Sequence, residues 1–163
     1  MKEINVAKVT VNMGAGKNEE LLQRGLKLLQ NMTPLQPVKT YTKKRIPGWG
    51  LRPGLAIGAK VTVRDKARAF LLRLLEAKGK VISPDNFDGQ GNFSFGIPEY
   101  IDIPGLEYDP ELKIMGMEVA VTLERPGYRV KRRKIRPGKI GKHHQITKDE
   151  AIHFVQDLGV TVQ

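Results

Sequence analysis

With 163 residues, 40% of them hydrophobic, and a formal net charge of +11, the chain is long enough to bury a core and too apolar to be disordered throughout. The absence of cysteine excludes a disulfide framework, a thiolate metal site and a cysteine nucleophile. The excess of cations points to a polyanionic partner, and with no apolar run near the roughly 18 residues of a spanning helix the reading is a soluble, cytosolic chain without a signal peptide.

The first element predicted is a strand over residues 4–13, where Val9, Val11 and Met13 alternate with Lys8, Thr10 and Asn12. Gly14 and Gly16 break it, and Asn18 is placed to cap a helix with Glu19 and Glu20 in its first turn, where the helix dipole favours anions. That helix runs to Met32 on a stripe of Leu22, Leu26 and Leu29, joined by Leu21, Leu28 and Met32, and Pro34 and Pro37 end it. A short strand over 38–42 precedes KKRIPGWGLRPGL (43–55), whose three glycines and two prolines exclude regular structure. A mobile basic arm tipped by Trp49 is expected there.

A third strand over 56–64 puts Val61 and Val63 on one face and Lys60, Thr62 and Arg64 on the other. Asp65 is the expected cap of a helix to Lys78, with Phe70, Leu71, Leu74 and Leu75 inward and Gly79 at the stop. Residues 93–103 alternate imperfectly, as in half-buried strands, and MEVAVTL (117–123) is the clearest strand in the chain. Thr147 to Glu150 spells a capping box for a last helix along Ala151, Ile152, Phe154, Val155 and Leu158; Gly159 stops it, with room for a final strand at 160–162. The order predicts an α+β fold: an antiparallel β-sheet with helices packed on one face, a ferredoxin- or RRM-like sandwich with long basic loops, as one domain over 1–163.

Charge is segregated along this order. Residues 21–64 hold nine Lys or Arg and no acid, residues 85–118 hold eight acids and one base, and RPGYRVKRRKIRPGKIGKHH (125–144) holds nine Lys or Arg and no acid. Such density belongs at a surface, because an unpaired buried ion costs several kcal/mol. Arg125, Arg129, Lys131, Arg132, Arg133, Lys134 and Arg136 are candidate phosphate contacts, with Tyr128 able to stack on a base; Lys43, Lys44, Arg45, Arg52 and Trp49 form a second set. The acidic segment either repels RNA and limits the binding register or keeps the protein soluble.

Catalytic and cofactor readings fail. GAGK (14–17) has Val11 where a phosphate loop needs glycine and Asn18 where it needs Ser or Thr, and GQG (89–91) lacks the third glycine of a dinucleotide fingerprint. His143 and His144 sit among cations, His153 reads as a surface histidine, and Asp85 and Asp88 read as turn caps, so no metal site and no cofactor are expected. A membrane-surface role would need an amphipathic helix beside the polybasic run, which Pro126, Gly127, Pro137, Gly138 and Gly141 interrupt.

VTVNMGAG (9–16), RPGLAIGAKVTVR (52–64), FDGQGNFSFGI (87–97) and IPGLEYDPELKIMGMEVAVTLERPGYRVKRR (103–133) resemble the universal large-subunit ribosomal protein five family, numbered eleven in eukaryotes. The likeness covers nearly the whole chain, and ERPGYRVKRR and TKDEAIHF resemble its archaeal type. The resemblance implies a non-enzymatic component of the cytoplasmic ribosome, in the 50S subunit. It implies 5S rRNA and 23S rRNA as partners, with P-site tRNA, a small-subunit head protein and neighbouring large-subunit proteins, and no membrane. It also implies that Asn12 and Gly14 of the N-x-G-x-G turn and Thr62 face 5S rRNA. Gln36 stands one residue from the place of a third such residue, and 43–55 corresponds to the tRNA-facing loop.

Overall fold

The alternation of Val9, Val11 and Met13 with Lys8, Thr10 and Asn12 produces strand β1 (Asn5–Gly14) of the computed structural model, which describes residues 1–163. The three apolar side chains are buried and the three polar ones are partly exposed on the opposite face. Asn18 opens helix α1 (Glu19–Met32) by accepting a hydrogen bond from the Leu21 N–H at 3.2 Å. Leu22, Leu28, Leu29 and Met32 of α1 are buried, with Leu21 and Leu26 at the margin of the core.

Strands β2 (Val38–Tyr41) and β3 (Ala56–Val63) flank the arm, and helix α2 (Ala67–Ala77) buries Leu71, Leu74 and Leu75 with Phe70 beside them. Then come β4 (Val81–Ile82), β5 (Phe93–Ile97), β6 (Met117–Glu124), the single turn α3 (Arg129–Arg132), α4 (Lys148–Asp157) and β7 (Thr161–Val162). The main sheet runs β2-β3-β1-β6-β5 and every neighbour pair is antiparallel. Its inward side chains join those of α1, α2 and α4 in one core, which leaves the other face of the sheet without helices. This is the α+β arrangement expected. Because β1 is antiparallel to both neighbours, neither helix is a crossover between adjacent parallel strands, as it would be in a βαβ unit.

The capping box of α4 is present in full, Thr147 and Glu150 each bonding the other's backbone N–H. Asp65, by contrast, is not the cap of α2. The chain turns through Lys66 in the left-handed region (φ 54°), which takes the N-cap position with no side-chain cap bond. Of residues 93–103 only β5 is strand; after Pro98 the chain coils into a short 3₁₀ turn at Tyr100–Asp102. The pairing of β4 with β7, parallel, had no signal, since two residues carry no period. Close approach of β1 and β3 requires glycine at 58, where a Cβ would lie 2.5 Å from the Met13 carbonyl oxygen.

Candidate nucleic-acid interface

Outward positions of the sheet line up in two cross-strand rows. One is Ser94, Ala120, Thr10 and Thr62; the other is Gly96, Glu118, Asn12 and Lys60. Side chains directly opposite in such a ladder share a face and stand about 5 Å apart at Cβ. Asn12 and Thr62 are therefore diagonal neighbours on the open face, and the hydroxyls of Thr10 and Thr62 lie 3.3 Å apart. The small residues of the first row let a ribose or phosphate approach the strands closely.

At one end of this face Ala15 and Gly16 donate their N–H groups to the Ile57 carbonyl at 2.8 and 3.0 Å, which fixes the turn after β1. Gly14 is exposed within it, and Gly16 has φ 58°. Gln36 is exposed just before β2. Val38 pairs with Lys60, so continuing that register two residues carries Gln36 toward Thr62. Asn12 and Thr62 thus lie together on the open face, with Gly14 at the end of β1 and Gln36 ahead of β2.

The arm over 43–55 is a folded hairpin-like element. Ile46 and Leu51 exchange backbone hydrogen bonds at 3.1 and 3.0 Å around a 3₁₀ turn at Pro47–Trp49, and Thr42 and Leu55 close its base at 2.9 Å. Trp49 is 70% exposed at the tip, whereas Leu51 is buried. Lys43, Lys44, Arg45 and Arg52 are exposed and form no ion pair. Lys17 packs against Gly50, where any Cβ would collide with its ammonium, so the arm leans on the turn after β1.

The 125–144 stretch is pinned at both ends. Arg125, which charge density assigns to the surface, is buried; its Nη2 donates to Glu150 Oε1 at 2.7 Å while its Nε has no partner. The backbone N–H of Thr147 and the Arg125 guanidinium hold the Glu150 carboxyl below its ordinary value of 4.5. Tyr128 is a brace as well: its hydroxyl donates to the His144 carbonyl and accepts from the Ile146 N–H, both at 3.1 Å, with its ring edge on His144. The burial of Arg125 corrects its expected surface position, and the partners of both residues lie 16 or more positions downstream, out of reach of a local reading.

Between these braces the cations point outward. Of the nine, only Arg125 and Arg132 are in ion pairs, the latter with Glu124 at 2.6 Å, so Arg129, Lys131, Arg133, Lys134, Arg136, Lys139 and Lys142 remain free. Arg133 also donates to the Arg136 carbonyl, shaping the loop. Lys131, Arg132, Lys139 and Lys142 line a groove of about 530 Å³ whose other wall is Lys8, Thr122 and Glu124 of the sheet. The basic stretch is therefore continuous with the open face. Lys8 and Thr122 were not singled out from the sequence, although the alternation in β1 and β6 puts both on the outward side.

Two acids of the 85–118 segment, Asp109 and Glu111, lie away from this surface. Lys27 of α1, on the helical side, binds Glu111 directly and Asp109 at 3.6 Å, and the bond to Glu111 raises the lysine above its ordinary value. Two basic elements and a polar, small-residue sheet face thus offer groups suited to phosphates and base edges.

Comparison with known proteins bears on this surface. Residues 1–52 match the family model described as ribosomal protein L5, and residues 56–154 match the model that describes the C-terminus of the same ribosomal family. The chain is 47% identical over 165 residues to the large ribosomal subunit protein uL5 of Nanoarchaeum equitans, covering 99% of this chain and 97% of that one. It is 47% identical over 160 residues to uL5 of Methanococcus maripaludis strain C6, covering 96% and 88%. It is also 47% identical over 165 residues to uL5 of Sulfurisphaera tokodaii, covering 99% and 93%.

Proposed function

The chain belongs to the ribosomal protein L5 family, in its archaeal type, and from that premise we propose that it binds 5S rRNA through the open face of its sheet. Membership makes it a structural constituent of the large ribosomal subunit and not an enzyme. In the proposed arrangement Asn12, Gly14, Thr62 and Gln36 meet 5S rRNA. The 125–144 stretch grips rRNA and helps fasten 5S to 23S rRNA in the central protuberance. The arm over 43–55 reaches P-site tRNA, and the molecule bridges to a protein of the small-subunit head. We take 1–163 as a single RNA-binding unit, because one sheet draws strands from both matched segments.

The observation that carries the reading is convergence. Asn12 and Thr62 come from strands some fifty residues apart, yet they sit diagonally on a helix-free face beside a cationic groove. Phosphate contacts supply affinity with little preference, whereas base contacts supply the choice of RNA. The test is a filter-binding competition of 5S rRNA against bulk rRNA at raised salt. Wild-type protein is expected to retain 5S preference; Asn12→Ala and Thr62→Val are each expected to reduce it by about tenfold or more, on the scale of a lost base contact of roughly 1–3 kcal/mol. Equal losses for every RNA would refute the assignment of readout to these two residues.

A further inference from the structure

Glu118 is the one outward position of the open face whose unpaired charge opposes RNA binding. It stands on β6, directly across from Asn12 on β1 and from Gly96 on β5, and it is exposed. Glutamate is disfavoured in strand interiors, so local propensity does not account for it. The chain's five ion pairs leave it unpaired, whereas Glu124, the other acid on this face, is neutralised by Arg132. In a chain of net charge +11, this carboxylate stays without an ion pair on the face proposed to receive the polyanion.

Resting on the proposed reading of the open face as the 5S rRNA site, we infer that Glu118 is a specificity-determining residue that reads the Watson–Crick edge of an unpaired guanine. An ionised carboxylate accepts hydrogen bonds and cannot donate them, so it repels phosphate and leaves ribose and base N–H or O–H groups as its partners. Cytosine and adenine offer a single exocyclic amino group. Guanine presents N1–H and the N2 amino side by side, which matches the two oxygens of a carboxylate in a bidentate, charge-assisted pair. Such edges are available in RNA where bases are unstacked in loops and bulges. The space is suitable, because Gly96 and Ala120 flank Glu118 and a Cβ added at Gly96 would meet nothing nearer than the Met117 carbonyl at 4.0 Å. Asn12, opposite, carries both a donor and an acceptor for an adjoining base or sugar.

The experiment compares wild-type protein with Glu118→Ala and Glu118→Gln, full chains checked by circular dichroism, for binding to 5S rRNA and to bulk rRNA at one salt concentration. It is paired with interference mapping on 5S transcripts that carry inosine in place of guanosine at random positions. Removing the charge is expected to raise affinity for bulk RNA a few-fold while lowering 5S affinity about tenfold, with Glu118→Gln between wild type and Glu118→Ala. One guanosine should be found where inosine, which lacks the N2 amino group, weakens wild-type binding and leaves Glu118→Ala unaffected. Equal gains for both RNAs would reduce the carboxylate to simple repulsion and overturn the inference, as would a 5S loss with no inosine-sensitive guanosine. A wild-type protein without 5S preference overturns the parent reading itself; preference kept in full by Glu118→Ala overturns the inference alone.

Discussion

Arg125 begins the most basic stretch of the chain, but its guanidinium lies 6% exposed against a Glu150 side chain that is 43% exposed. Exposed pairs contribute about 0–1 kcal/mol and removal of one partner from a fully buried pair costs about 3–5 kcal/mol. This half-sheltered pair falls between, so Glu150→Ala is expected to lower unfolding free energy by roughly 1–3 kcal/mol in urea titrations. Glu150 is held below its ordinary 4.5 by the Thr147 N–H and by Arg125. A carboxyl with a depressed folded value stabilises fully above its unfolded value and loses that contribution as pH falls through the folded one. The wild-type melting temperature should therefore drop more steeply than that of Glu150→Gln below pH 4.5. Parallel curves would place the acid sensitivity in other groups. Asn12 and Thr62 were legible as outward residues because strand alternation is a local property, whereas the burial of Arg125 depends on a partner 25 positions away.

At the level of elements, the arm over 43–55 separates an internal anchor from an exposed tip. Leu51 is 7% exposed and Trp49 is 70% exposed. Leu51→Ala is expected to cost about 2 kcal/mol of stability, the low end for a buried leucine because the arm can relax into the space. Trp49→Ala should stay within about 0.5 kcal/mol. With the fold intact, the proposed division of labour predicts that Trp49→Ala ribosomes bind P-site tRNA less well while the isolated variant keeps its 5S affinity. Collapse of 5S binding would merge the arm with the recognition face. Long periodic elements such as β1, α1, β6 and α4 were readable with their caps, since each repeats its signal over many residues. The two-residue strand β4 and its pairing with β7, the left-handed start of α2 and the internal pairing of the arm were not, because each is set by contacts distant in sequence or by a single backbone angle.

Across the whole molecule, free Lys and Arg line the groove beside the open sheet face, while Lys27, Asp109 and Glu111 form a mixed cluster on the helical side. Neutralising Lys131, Arg133 and Lys134 together is expected to reduce the slope of log affinity against log salt by about 2, at roughly 0.7 per single-stranded phosphate contact. The weakening should be the same for 5S and bulk RNA; a selective loss of 5S binding would make the basic stretch a reader of sequence. The sequence alone determined the α+β class, the family, the polyanionic nature of the partner and which face of each strand is polar. These follow from composition, motif order and periodicity, which are properties of neighbours along the chain. The tertiary structure decided which cations are free, which aromatic ring is a brace, and that Asn12, Thr62 and Glu118 share one face of the sheet. Those facts depend on strand register and on pairs many residues apart, and only the packing of the folded chain sets them.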